Sequence, residues 1–116
     1  YQVAIISDTF YELAGPLLSK LHNPMTLCHR LTVGSDGNII GYRLRQVDPK
    51  RHCVKAFQSL GYEIVAAGDS YNDISMLEQA ENGILFQPSE KVVNDFPDFP
   101  VALNYEELKV MYTESM

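Results

Sequence analysis

Short β-rich apolar runs alternate with stretches of helical spacing along this chain, which restricts it to an α/β fold with a mostly parallel sheet and right-handed crossovers. "QVAIIS" reads as a strand buried on both faces, and "TFYELAGPLLSKL" as a helix broken at Gly15-Pro16. From Met25 to Gln46, "TLCHRLTV" and "IIGYRLRQ" flank "GSDGN", a segment rich in residues that accept positive φ, so a β-hairpin is expected. Arg43 and Arg45 fall on one face of its second strand, where a solvated charged face is the ordinary reading. Asp48-Pro49 opens a helix over 49–60 as N-cap and first helical residue, and Gly61 stops it. A strand "YEIVAAG", a helix "YNDISMLEQAE", a strand "GILF" and a short helix "SEKVVNDF" follow. The loop "DFPDFP" leads to a weak strand "VALN" and a helix capped by Asn104. The expected architecture is a Rossmann-like, mostly parallel sheet flanked by helices, with the hairpin as an insertion.

The 116 residues suffice for a single α/β domain spanning 1–116. Nine Lys and Arg against 15 Asp and Glu give a formal charge of -6, which repels phosphate backbones and argues against nucleic acid as a partner. An anionic substrate therefore needs local positive help. Cys28 and Cys53 each sit in an apolar-patterned element and read as reduced core thiols. No apolar run approaches the roughly 20 residues of a membrane span, and the first residues lack a signal-peptide pattern. A soluble, cytoplasmic protein is expected. Tyr1 opens on what reads as a strand already under way, so the chain is expected to be a fragment or to begin abruptly.

Ligands of parallel α/β sheets bind beyond the carboxyl ends of strands, which singles out Ser7-Asp8 and Gly68-Asp69. Asp69 leaves its strand directly into a loop, placed like a metal ligand, and Asp73 follows one helical turn later with the amide of Asn72 between them. Two carboxylates so close call for a cation, and hard oxygen ligands select Mg²⁺. Helix capping by Asp69 or Ser70 accounts for one acid and leaves the rest of the ensemble unexplained. Lys50 lies one turn before the stripe Cys53, Val54, Phe57, Leu60 and on the same helix face, whereas Lys55 points away. A lysine there is costly unless its charge is used, to neutralise phosphate and keep nearby carboxylates ionised; snorkelling at the core's edge is the plainer alternative. The Ser7 hydroxyl with the N–H groups of Asp8 and Thr9 at a helix N-terminus can bind an anion, although Ser-Asp-Thr is also ordinary capping sequence.

Ser7, Lys50 and the Gly68-Asp69-x-x-Asn72-Asp73 string, in that order, resemble the second, third and fourth motifs of the haloacid dehalogenase superfamily, and within it the phosphoserine phosphatase group. "IISDTFYEL", "GYRLRQVDPKR" and "AAGDSYNDISML…GILF" are similar more narrowly to the phosphoserine:homoserine phosphotransferase type, over Gln2 to about Tyr112. The resemblance implies that Ser7 and the Asp8 amide hold phosphate oxygens, that Lys50 balances their charge, and that Asp69 binds Mg²⁺. Asn72 and Asp73 would support phosphate and metal, with Lys50 and Asp73 counted in the catalytic set. It implies, too, a phosphoryl group passing from phosphoserine or a similar small phosphorylated metabolite to an aspartate, then to water or an alcohol.

The superfamily's first motif, a strand ending in Asp-x-Asp that carries the nucleophile, has no counterpart before Ser7. Were Asp8 the nucleophile, Phe10 would occupy the acid/base position, and Phe10 cannot transfer a proton. Because that strand is central in the family, the resemblance implies a sheet without its central strand. The gap would be closed by direct pairing, a homodimer or an N-terminal complementing segment. The expected function is a Mg²⁺-dependent phosphomonoester hydrolase or phosphotransferase that takes its nucleophile from elsewhere. The alternative is a non-catalytic Mg²⁺- or phosphate-binding module or an interaction protein.

Overall fold

The structure, a computed structural model, describes residues 1–45 and 47–115. Residue contacts divide the chain into two compact units, Tyr1–Pro49 and Lys50–Met116. The strands form two three-stranded sheets, one in each unit, rather than a single sheet. No helix among the described residues is long and apolar enough to cross a membrane.

The first unit contains β1 (Ala4–Phe10), α1 (Tyr11–Lys20), β2 (Met25–Val33) and β3 (Ile39–Arg43), in sheet order β1-β2-β3. β1 pairs parallel to β2 through Ala4↔Met25, Ile5↔Thr26 and Ile6↔Leu27, so β1-α1-β2 is a crossover unit. The next partners are Phe10 and His29, so β1 carries a bulge over Ser7, Asp8 and Thr9. α1 runs unbroken through Gly15-Pro16, contrary to the expected break. The first four N–H groups of a helix have no partner within it, and Pro16 sits close behind them, so its ring removes a single early bond, to the Glu12 carbonyl. The hairpin forms as expected, with Arg30↔Arg43 and Leu31↔Tyr42 paired and Gly37 at φ +85° in its loop. β3 ends at Arg43, which puts Arg45 beyond the strand; Gln46 lies outside the described residues.

The second unit begins with α2 (Pro49–Ser59 in full), followed by β4 (Val65–Gly68), a 3₁₀ turn (Tyr71–Asp73) and α3 (Ile74–Gln79). β5 (Asn82–Phe86), α4 (Glu90–Asp95), β6 (Val101–Ala102) and α5 (Tyr105–Glu114) complete it. Gly61, at φ +92°, closes α2: its N–H reaches the Gln58 carbonyl at 2.9 Å and the Tyr62 N–H reaches that of Phe57 at 3.2 Å. Leu60 falls in this cap and is 71% exposed, not part of the buried stripe; Cys53 and Val54 are buried as expected. β4 pairs parallel to β5, and β5 to β6. Ala66, Ile74, Met76, Leu77, Ile84, Leu85, Val92 and Ala102 are buried against this sheet, the larger side chains contributing about 1.5–3 kcal/mol each. Ser89 caps α4 by accepting the Val92 N–H at 3.3 Å, and Asn104 caps α5 by accepting that of Glu107 at 2.9 Å. Cys28 and Cys53 are buried and in no disulfide.

Candidate active site

In the second unit the apolar run of β4 ends at Gly68, and the chain leaves the sheet at Asp69. A cleft of about 320 Å³ opens at the carboxyl ends of β4 and β5, lined by Ala67, Gly68, Asp69, Phe86 and Gln87. This is where a parallel sheet offers its ligand position. The Asp69 carboxylate is exposed there. Phe86 and Gln87 are absent from the sequence-based set, although the strand-end rule applied to "GILF" would have pointed to them. Gln87 adopts φ +46°, its N–H bonded to the Ala102 carbonyl at 2.9 Å and its side-chain amide to that of Leu103 at 3.1 Å.

Asp73 turns inward from the 3₁₀ turn. Its Oδ2 accepts the N–H groups of Asp69 at 3.0 Å and Ser70 at 3.3 Å, and its Oδ1 lies 2.5 Å from Lys50 Nζ. Asp73 is buried, its side chain 7% exposed, and that of Lys50 is 11% exposed. Ser70 is the N-cap of this turn, one of the two capping residues expected, and the acid that completes the capping box is Asp73 rather than Asp69. The Ser70 hydroxyl donates to Asn72 Oδ1, which fixes the amide of Asn72 on the same turn. Lys50 faces inward and Lys55 is exposed, as the helix face requires. Burial pushes the Asp73 pKa up, but the hydrogen bond and charge of Lys50, with the two amide donors, outweigh it and hold the carboxyl below its ordinary value.

Gly68 is required by space. A Cβ built on it would meet Asp73 Cβ and Cγ at 2.5 Å and Oδ2 at 2.7 Å, so the carboxylate occupies the volume that any side chain at Gly68 would take.

Among the described residues no three His, Cys, Asp or Glu side chains gather into a metal-binding group. Mg²⁺ takes only one or two carboxylates, filling its octahedron with water and phosphate oxygens. Asp69, an exposed hard-oxygen donor at an open cleft, fits that demand. Asp73 already has one oxygen on Lys50 and the other on two amides.

In the first unit, Ser7 and Asp8 come together in the bulge of β1. The strand continues to Phe10 and α1 starts only at Tyr11, so the amides of Asp8 and Thr9 belong to a bulge and not to a helix N-terminus. Ser7 Oγ accepts the Thr9 N–H at 3.2 Å, which leaves its hydroxyl hydrogen to donate. Asp8 Oδ1 lies 3.5 Å from His29 Nε2.

Residues 51–107 match the haloacid dehalogenase-like hydrolase family. Over 109 residues the chain is 52% identical to phosphoserine phosphatase ThrH of Pseudomonas aeruginosa, an alignment that covers 94% of this chain and 53% of that protein. It is 51% identical over 109 residues to a phosphoserine phosphatase of Pseudomonas syringae pv. tomato, covering 94% of this chain and 46% of that one. The chain thus spans about half the length of the curated relatives it matches. Its fold resembles the crystal structure of a phosphoserine phosphatase in apo form, with a TM-score of 0.76 at 24% identity, over 97% of this chain and 58% of that chain.

Proposed function

The chain belongs to the phosphoserine phosphatase family of the haloacid dehalogenase superfamily, and we propose that it carries the phosphate- and Mg²⁺-binding part of a phosphomonoester hydrolase or phosphotransferase. The substrate class is phosphoserine or a similar small phosphorylated metabolite. One observation supports this most: an exposed carboxylate at a parallel strand end, Asp69, whose amide is clamped from behind by a buried Lys50–Asp73 pair.

When bound at Asp69, Mg²⁺ would supply neutralising charge for the phosphoryl oxygens and fix their orientation. Asp69 contributes its carboxylate as the protein ligand. Asp73, expected from the sequence as a second ligand and a catalytic group, is assigned here to holding the Asp69 backbone and the Lys50 ammonium. One of the three donors of that ammonium serves Asp73, and the group's charge is assigned to balancing phosphate. Asn72 supports a phosphate oxygen from the same turn. Ser7 and the Asp8 amide are assigned to phosphate oxygens. The aspartate nucleophile is assigned to an N-terminal complementing segment. The reaction is then electrostatic clamping of a phosphoryl group in transfer. A reducing, cytoplasmic setting accords with two buried cysteines in no disulfide.

The test is titration of inorganic phosphate into this chain and into Asp69→Asn, with and without Mg²⁺. Phosphate binding that requires Mg²⁺ and is lost in Asp69→Asn is expected. Binding indifferent to both would overturn the assignment of Asp69. Phosphate release from phosphoserine, followed in parallel, separates the nucleophile: turnover by this chain alone, lost in Asp8→Asn, would make Asp8 the attacking group.

A further inference from the structure

Among the described residues, His29 is the one buried polar side chain without a role in the assignments above. Its side chain is 6% exposed, its Nδ1 accepts the Arg45 backbone N–H at 2.9 Å, and its Nε2 lies 3.5 Å from Asp8 Oδ1. A backbone N–H can only donate, so Nδ1 is the acceptor and the neutral ring carries its hydrogen on Nε2, the nitrogen turned to Asp8. The Asp8 side chain is 46% exposed. Phe10, the residue paired with His29, packs its ring 6.1 Å from the imidazole. One imidazole therefore ties three stretches together: the bulge of β1, β2 itself, and the chain beyond β3.

A carboxylate within a phosphate-binding bulge is an electrostatic liability, because it repels the ligand its own amide must hold. A donor on His29 Nε2 draws that carboxylate toward β2. We infer that His29 is a positioning residue: it holds the Asp8 carboxylate aside and so fixes the Ser7–Thr9 backbone in the form that binds phosphate. The inference rests on the assignment of Ser7 and Asp8 to phosphate.

The test pairs His29→Asn, which keeps an acceptor for the Arg45 amide but is too short to reach Asp8, with Asp8→Ala, singly and together. Mg²⁺-dependent affinity for inorganic phosphate and amide hydrogen exchange over Ser7–Thr9 are read in each. His29→Asn should weaken phosphate binding about tenfold, the scale of one contact to a charged group, and speed exchange in the bulge. In the Asp8→Ala background the same change should do neither. Equal losses in both backgrounds would show that His29 does not act through Asp8, and unchanged affinity and exchange would remove its role. If the parent chain binds no phosphate, the phosphate assignment fails, and the exchange rates still decide whether His29 fixes the bulge. Should His29→Asn not fold, Asp8→Ala alone must speed exchange in the bulge, and slow exchange there would overturn the inference.

Discussion

Asp73 in the second unit and His29 in the first are the buried polar side chains among the described residues, and they are held by different means. Asp73 is a charge inside a packed core, met by the Lys50 ammonium and two backbone amides, with Gly68 leaving it room. His29 shares its unit's interior with Cys28 alone among buried residues, and its partners are one amide and a carboxylate half in solvent. The contrast separates two ways of fixing a strand end. Where a charge is buried with its counter-charge, losing either partner destabilises the fold; where an imidazole links a bulge to solvent-exposed groups, its loss is felt mainly in local geometry.

The largest effect should come from Lys50→Met, which strands the Asp73 carboxylate in the core. A loss of about 3 kcal/mol in the unfolding of the second unit by urea is expected, the lower end of what breaking a buried pair costs. A loss near zero would place the pair with surface ion pairs and dissolve the contrast. The pH dependence sharpens it. Because the Asp73 pKa is depressed in the fold, its contribution is fully present above the unfolded value, about 3.9, and is lost as pH falls through the lower folded value. The native chain should therefore lose stability below about pH 4 more steeply than Asp73→Asn, which should begin less stable at neutral pH. Parallel curves for the two would remove Asp73 from the acid response.

Gly68→Ala should come next, at about 2 kcal/mol, because the new methyl meets the Asp73 side chain near its root, where it cannot swing away. The same change should release the Asp69 amide and weaken Mg²⁺-dependent phosphate binding. Unchanged stability would mean that Asp73 can leave its place without cost.

Much of this site was legible in the sequence because strand ends are written locally. The apolar run stopping at Gly68-Asp69, the Asn104 cap and the glycine close of α2 each depend on neighbours within a few residues. The inward turn of Asp73 was not legible, since its spacing from Asp69 suggests a shared helical face. The chain instead makes a 3₁₀ turn, and the partner Lys50 lies 23 residues away. Nor was the bulge at Ser7–Thr9, because the same residues serve equally well as a helix cap and register depends on the partner strand. His29 gave no signal: a histidine within "TLCHRLTV" looks like any strand residue until Asp8 and the Arg45 amide are brought to it. The division into two sheets accords with the expected absence of the central strand, although strand runs alone do not say which strands pair.

The smallest effect should come from Lys55→Ala, and it is the control on which the contrast depends. Lys55 lies on the same helix as Lys50 and carries the same charge, but five residues turn it roughly 140° away, and its side chain is in solvent. There its charge is screened, and losing it should change stability by less than about 0.5 kcal/mol and leave Mg²⁺-dependent phosphate affinity as it was. Should Lys55→Ala instead weaken phosphate binding as much as Lys50→Met, positive charge anywhere on α2 would suffice. The buried pair with Asp73 would then be a feature of folding, with no part in holding phosphate.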